Sequence, residues 1–322
     1  MNLPLLISFI ACLLFSSQAS AQEGCYACHG QKGGRTYVSK EAFEQSVHGK
    51  MTCDKCHLGI ASYPHGVVSR VNCGICHFLG RDGAPKEQAA DYKLSVHGRA
   101  TAKGNAVAPN CQTCHGSHMI YRSADPRSAT SREKIPALCS QCHASEFSVY
   151  EKSIHGSLLL KDKVSSAPTC FDCHMEHRIP SVSEPKWKLS LIEKCGTCHP
   201  EEMNTYHKTY HGKVARLGYT TIAMCWDCHS SHGILPQNDP ASTLSSKNLV
   251  ITCKKCHPGA TESFTKFYAH AEEKNREKYP ILYYTYMFMT LLLIGVFTFF
   301  LTHTFLWAYR ALKERIQKKG GM

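Results

Sequence analysis

The pattern Cys-x-x-Cys-His occurs nine times in this chain of 322 residues and uses 18 of its 19 cysteines. The cysteine pairs, numbered as motifs one to nine in chain order, are Cys25 and Cys28, Cys53 and Cys56, Cys73 and Cys76, Cys111 and Cys114, Cys139 and Cys142, Cys170 and Cys173, Cys195 and Cys198, Cys225 and Cys228, and Cys253 and Cys256. The histidines that end the motifs are His29, His57, His77, His115, His143, His174, His199, His229 and His257. The spacing places both thiols about one helical turn apart, where each can form a thioether to one haem, while the adjacent His ligates its iron. The sequence therefore predicts nine c-type haems.

Zinc sites and disulfides also use paired cysteines, and a single C-x-x-C pair would not exclude either. Histidine accounts for only 20 of the 322 residues, so chance does not place it after nine of nine pairs. A His bonded directly to the second Cys is also poorly placed for zinc, whose ligands must converge from spaced positions. The pattern favours haem attachment over both alternatives.

The remaining histidines provide one candidate second axial ligand for each predicted haem. After the odd-numbered motifs, a helix-like stretch ends in a His, and these residues are His48, His97, His155, His211 and His270. After the even-numbered motifs, a His follows closely, and these residues are His65, His118, His177 and His232. A Gly follows four of the first five, as in a helix C-cap, so we expect those helices to end at the imidazole. Some of these histidines could instead be ordinary surface or core residues, and spacing does not tell which His serves which haem.

The density of the motifs predicts the fold class. Nine motifs share residues 22–279, which leaves about 29 residues for each, too few for a conventional apolar core. We therefore expect a multihaem cytochrome c fold, in which short helices and irregular loops with little sheet surround a core of haems. Four methionines near motifs are expected to pack rather than to ligate iron, namely Met51, Met119, Met175 and Met224.

Residues 1–21 are interpreted as a secretory signal peptide. An apolar run is followed by Ala19-Ser20-Ala21, which matches a cleavage site after Ala21. The stretch before the apolar run lacks Lys and Arg, which departs from the usual pattern. A lipoprotein acylated at Cys12 is the alternative, and it is disfavoured because the apolar run continues past that residue.

Residues 280–309 are predicted to form one transmembrane helix. The run from Ile281 to Tyr309 contains no Asp, Glu, Lys or Arg, and about 20 apolar residues suffice to span a bilayer. Tyrosine and tryptophan side chains near both ends resemble interfacial aromatic belts. The basic tail, residues 310–322, is expected in the cytoplasm and the haem region, residues 22–279, in the periplasm. This topology describes a single-pass protein of the cytoplasmic (inner) membrane.

The formal net charge of +12 does not indicate a nucleic-acid partner. The basic residues are scattered along the chain, and each haem would add two propionates that offset them. We expect no nucleic acid among the partners.

These motifs, with the surplus of histidine and the apolar segment, resemble the membrane-anchored multihaem (nonahaem) cytochromes c with doubled C-x-x-C-H motifs of anaerobic respiratory chains. The resemblance covers nearly the whole chain from Cys25 to the anchor. It implies closely packed, mostly bis-His haems that relay electrons between a membrane partner and periplasmic or outer-surface acceptors. The partner would be a quinol-oxidising or b-type cytochrome subunit. No catalytic residue is implied, and an electron-transfer protein or subunit is favoured over an independent enzyme.

A multihaem reductase acting on nitrite, hydroxylamine or a sulfur oxyanion is the alternative. Such enzymes need one iron with an open position, and several use an altered motif such as C-x-x-C-K. No altered motif occurs here, and the histidines suffice for every iron to be six-coordinate. The ligand supply therefore favours relay.

Two histidines lie outside this scheme. His207 lies one helical turn before His211, so it could replace that residue as a ligand or face solvent, and we favour solvent. His303 lies inside the apolar segment, where it could face a quinone or a b-type haem of a partner, or reach the cytoplasmic interface.

Overall fold

The computed structural model describes residues 23–34, 36–60 and 62–319. Regular secondary structure in these ranges is helical, and no strand occurs among them. Short helices alternate with turns and irregular connections, which confirms the predicted fold class. The predicted signal peptide, including Cys12, lies outside the described residues and stays a prediction.

The helices before the C-terminal segment are short. Residues 23–29 are helical, and the further α-helices are Lys40–Glu44, Gly74–His77, Glu87–Leu94, Val96–Ala102, Cys111–His115, Ile135–Ser140, Ala144–Tyr150, Ile154–Leu160, Cys170–His174, Pro185–Cys198, Pro200–Lys208, Tyr210–Arg216, Cys225–His229 and Leu249–Lys254. Single 3-10 turns occur at Cys53–Lys55, Arg81–Gly83, Arg132–Lys134 and Phe264–Lys266. The longest of these helices, Pro185–Cys198, has 14 residues.

The C-terminal helix, Pro280–Lys319, has 40 residues and is therefore about 60 Å long. By length and composition it could cross a membrane, and its side chains in the apolar window are exposed. The helix continues ten residues beyond the predicted span, where Arg310 and Glu314 form an ion pair of 2.9 Å at the helical spacing i, i+4. The basic tail is thus a helical extension of the apolar segment as far as Lys319.

The apolar core is small. The buried hydrophobic side chains of the described residues are Leu159, Ala167, Trp187, Ile192, Tyr206, Ala215, Met224 and Ala260. Ile192, Tyr206, Ala215 and Met224 pack together around motifs seven and eight. Met224, with 2% of its surface exposed, is therefore a packing residue, as expected. This small number of buried side chains is consistent with the expectation that haems rather than side chains form most of the core.

Three helix pairs repeat the same corner, in which a Ser or Thr directly precedes the second helix. The hydroxyl oxygens of Ser95, Ser153 and Thr209 accept hydrogen bonds from amides three residues later, at 2.9, 3.0 and 3.1 Å. Each hydroxyl therefore caps the N-terminus of the second helix. The candidate His is the second residue of that helix, so the prediction that a helix ends there is wrong.

The Gly that follows the candidate His is needed for close packing rather than for helix termination. A Cβ atom at Gly98, Gly156 or Gly212 would lie 1.9, 2.0 or 2.1 Å from a carbonyl oxygen of the preceding helix. Only a residue without a Cβ allows the two helices to approach so closely. At the first member of the set, Gly49, the corresponding distance to the Glu44 carbonyl is 2.1 Å.

Candidate functional site

Each Cys-x-x-Cys-His motif folds as about one helical turn. Motifs four, six and eight form helices of their own, Cys111–His115, Cys170–His174 and Cys225–His229. In motifs two, three, five, seven and nine, the amide of the His donates to the carbonyl of the first Cys, at 2.9 to 3.1 Å. The two thiols of each motif therefore lie one turn apart, as attachment to a single haem requires.

The second cysteines of motifs one, three and five are accessible to solvent. These are Cys28, Cys76 and Cys142. Cys28 and Cys142 are exposed, Cys76 is half-buried, and none of the three forms a disulfide. The amides of Cys76 and Cys142 donate to the carbonyl of the first Cys of their motifs, at 3.4 and 3.2 Å, so the backbone turn is present. Within the described ranges no side-chain hydrogen bond holds these three thiols. Their attachment to haem, like that of the other 15 motif cysteines, stays a prediction from the motif.

An aspartate caps two of the motif helices from within the motif itself. Asp172 accepts a hydrogen bond from the amide of Thr169 at 2.7 Å, and Asp227 accepts one from the amide of Met224 at 2.8 Å. Both carboxylates stand between the two cysteines of their motif, and each stabilises the first turn of a helix. The capping stabilises these two motifs locally, and Asp172 is also bound by Arg132 at 2.7 Å.

Every motif histidine faces one second histidine. The ring pairs are His29–His65, His57–His118, His77–His48, His115–His177, His143–His97, His174–His232, His199–His155, His229–His270 and His257–His211. Their centroids are 5.8 to 6.3 Å apart. The partners are the nine candidate second ligands, and each is used once.

This separation fits a metal between two imidazoles. An imidazole nitrogen lies about 2 Å from a metal that it binds, and the ring centroid about 1 Å further back, so two trans rings have centroids about 6 Å apart. The 18 motif cysteines are all free of disulfides. No group of three or more His, Cys, Asp or Glu among the described residues could hold a metal ion, whereas a structural zinc site needs four ligands. The donor set therefore fits haem better than zinc or disulfides.

The histidine pairs interlock distant parts of the chain. Motifs three, five, seven and nine face the His that follows the motif two places earlier. Motifs two, four and six face the His that follows the motif two places later. The two exceptions are His29, which faces His65, and His229, which faces His270. No motif His faces the candidate that comes next to it in sequence.

Consecutive motifs are also neighbours in space. The first cysteines of motifs one and two, three and four, five and six, and seven and eight form thiol–thiol hydrogen bonds. The bond from Cys73 lowers the pKa of Cys111 to about 6 and raises that of Cys73. These pKa values describe free thiols, because a thioether sulfur carries no proton. The second cysteines interact electrostatically with the following motif in the alternate steps, two to three, four to five, six to seven and eight to nine.

Three tyrosines that the sequence analysis did not identify connect each helix corner to the next motif. The hydroxyls of Tyr92, Tyr150 and Tyr206 donate to carbonyls at 2.9, 2.8 and 2.9 Å. Each acceptor lies two residues before the first Cys of an even-numbered motif. Burial raises the pKa of Tyr150 to about 12. The sequence signal was a Tyr five residues before the candidate His in three of the five odd-numbered units.

A backbone hydrogen bond joins the second histidines of successive pairs. The amide before His48, His97 and His155 donates to the carbonyl two residues after His118, His177 and His232, respectively. The bonds are Val47 to Ile120 at 2.8 Å, Val96 to Ile179 at 2.9 Å and Ile154 to Ile234 at 2.9 Å. They hold together the histidines that face motifs two and three, four and five, and six and seven.

The two remaining histidines face no motif His. The His207 side chain is only 19% exposed, and its Nε2 lies 3.7 Å from an oxygen of Glu193. Because the ring is largely buried, the expectation that it faces solvent is wrong. His303 stacks on Phe299 with centroids 6.5 Å apart, on the exposed surface of the C-terminal helix.

No protein-family model matches the chain. It is similar to the multihaem cytochrome MtrA of Shewanella baltica (strain OS185), with 26% identity over 211 residues, 62% of this chain and 55% of that protein. It is also similar to the cytochrome c-type protein NrfB of Escherichia coli O6:H1, with 28% identity over 150 residues, 42% of this chain and 73% of that protein. The chain thus spans about half the length of the MtrA protein.

Proposed function

We propose that this multihaem c-type cytochrome relays electrons along nine covalently attached haems. The observation that carries the proposal is the one-to-one pairing of nine motif histidines with nine second histidines, at 5.8 to 6.3 Å. In this proposal the 18 motif cysteines hold the haems, the motif histidines are the proximal ligands, and the facing histidines are the distal ligands. When bound, bis-His haem supplies one-electron transfer at low potential.

The contacts between motifs support a continuous path. Every motif interacts with the next one through its cysteines, by a thiol–thiol hydrogen bond or by an electrostatic interaction in strict alternation. Haems attached at these thiols would follow one another in chain order from motif one to motif nine. This chain's residues would therefore orient the haems and exclude solvent from between them, and no side chain would take part in chemistry on a substrate.

A multihaem reductase is the second candidate. It would require an iron with an open position for nitrite, hydroxylamine or a sulfur oxyanion. Since each motif histidine of the described residues faces a second imidazole, the geometry favours relay over this reaction class.

We further propose that the helix Pro280–Lys319 anchors the protein in the inner membrane, with the haem region in the periplasm. The apolar composition of the helix and the cationic residues after Tyr309 support this orientation. The electron donor would be a membrane quinol-oxidising or b-type cytochrome subunit, and the acceptors would be periplasmic or outer-surface proteins. His303, exposed on this helix, would face such a subunit.

Haem counting by pyridine haemochrome and electron paramagnetic resonance of the oxidised protein test the relay. Nine haems, all low-spin, are the expected result. A high-spin signal that shifts on addition of nitrite, hydroxylamine or sulfite would reveal an open iron and would replace the relay by the reductase. Protease accessibility of the tail in inverted membrane vesicles tests the orientation of the anchor, because only a cytoplasmic tail is cleaved there.

A further inference from the structure

The histidine that faces motif eight comes from an unusual place. His270 lies in the segment between the last motif and the C-terminal helix, residues 267–279, which we call the juxtamembrane segment. Its ring centroid is 6.2 Å from that of His229. The hydroxyl of Tyr279, the last residue of the segment, donates to the backbone carbonyl of His270 at 3.4 Å. The start of the C-terminal helix is thus tied directly to this histidine.

The orientation of the His270 ring is determined by one face of the helix Pro200–Lys208. Its Nδ1 lies 2.9 Å from the hydroxyl of Thr205 and 3.2 Å from the carbonyl of Glu202. The Thr205 hydroxyl can donate to its own helix, at 3.0 and 3.1 Å, so its oxygen accepts from the imidazole. With the proton held at Nδ1, Nε2 remains available to bind a metal.

The segment is fastened to the same helix by an ion-pair cluster. The Lys208 ammonium lies 2.9 Å from both oxygens of Glu272, and 2.9 and 3.0 Å from those of Glu273. All three side chains are partly buried, with 23 to 35% of their surface exposed. Glu202, Thr205 and Lys208 are spaced three residues apart and therefore share one face of their helix.

At three earlier places a backbone hydrogen bond joins the second histidines of successive pairs. The ion-pair cluster takes the place of that bond between His270 and His211. In those pairs the acceptor lies two residues after the second His, at Ile120, Ile179 and Ile234. Two residues after His270 stands Glu272, whose side chain binds Lys208, three residues before His211. A side-chain ion pair here does what a backbone hydrogen bond does at the three earlier positions.

We propose that Lys208 is a positioning residue that holds His270 on the iron of the eighth haem by binding Glu272 and Glu273. The haem whose ligand is coupled to the membrane helix is then the eighth rather than the ninth. This inference rests on the proposed function, because it takes His270 as a haem ligand.

Carbon monoxide binding to the reduced, full-length protein in detergent tests the inference, since carbon monoxide binds a ferrous haem only when a ligand leaves. In Lys208→Ala, one haem per chain should bind carbon monoxide about tenfold faster than in the unaltered protein, the factor that corresponds to about 1.4 kcal/mol. Lys208→Arg should restore slow binding, because it keeps the charge. Lys152→Ala is the matched control, since Lys152 occupies the equivalent place before Ser153 in the preceding corner and is exposed.

The variant His270→Ala distinguishes a failure of the ligand assignment of His270 from a failure of the positioning role of Lys208. One open haem per chain in His270→Ala, with equal rates in Lys208→Ala and Lys152→Ala, would overturn the role of Lys208 and leave the ligand assignment intact. If His270→Ala opens no haem while the haem count stays at nine, the assignment of His270 in the proposed function fails, and the positioning role fails with it. Fast binding in Lys208→Ala and slow binding in both other lysine variants supports the inference.

Discussion

Replacing Gly156 by Ala tests whether the helix corners hold the second histidines in place. The added Cβ would lie 2.0 Å from the carbonyl oxygen of Tyr150, 2.7 Å from its carbonyl carbon and 2.9 Å from the Cα of Glu151. These are backbone atoms, so no side-chain rotation relieves the contact. Since real Cβ contacts essentially never fall below 3.0 Å, the two helices must separate by about 1 Å.

The neighbour of Gly156 is His155, which faces His199 with centroids 6.3 Å apart. A metal–ligand distance tolerates a change of only about 0.2 Å, so a displacement of about 1 Å would remove this imidazole from the iron of the proposed seventh haem. Overpacking costs about 1–3 kcal/mol, and we expect about 3 kcal/mol here because the backbone has to move. At about 2–4 °C for each kcal/mol, the melting temperature should fall by about 6–12 °C.

Electron paramagnetic resonance and thermal unfolding check this prediction. Gly156→Ala should show one high-spin haem in nine, with the full haem count. Gly259→Ala is the control, because it lies two residues from His257 and its added Cβ meets no atom within 4 Å. Nine low-spin haems and an unchanged melting temperature in Gly156→Ala would refute the reasoning.

Three further substitutions test other contacts. Tyr150→Phe leaves the Pro168 carbonyl without its donor at 2.8 Å and should lower the unfolding free energy by about 1–3 kcal/mol in thermal unfolding, whereas Tyr210→Phe, at a site 74% exposed, should not. Arg132→Gln breaks the ion pair of 2.7 Å with Asp172 and should cost about 1 kcal/mol in the same assay, because both side chains are about one-third exposed; an unchanged melting temperature would contradict this. His207→Gln should leave all nine haems low-spin, whereas His211→Gln should make one haem high-spin, and a high-spin haem in the first variant would show that His207 is a ligand.

The short-helix fold was predictable from the sequence, and so was the set of nine candidate second histidines. Motif density excluded an ordinary core, and the doubled pattern singled out the right residues for pairing. Which His faces which motif was not predictable, because His57 meets His118 only after the chain has passed two further motifs. Such crossings depend on tertiary packing, and local spacing carries no record of them.

The Gly after His97 shows where local patterns mislead. A Gly that follows a helical stretch and a His suits a C-cap and a helix corner equally well. What distinguishes the two structures is the close approach of the Tyr92 carbonyl to Gly98, which depends on how the two helices pack. Tyr92, Tyr150 and Tyr206 are each visible in the sequence five residues before the His, but their bonds to the next motif depend on the same packing.

The interlocked histidine pairs also impose an order on maturation. Synthesis runs from the N- to the C-terminus, so when motifs three, five, seven and nine are complete, the histidines that they face already exist. Motifs two, four and six must wait until two more motifs have been made. Once His29 has been made and until His270 is made, a growing chain therefore carries one motif histidine, or briefly two, whose partner does not yet exist. The last to close is motif eight, whose partner His270 is among the final residues made before the C-terminal helix.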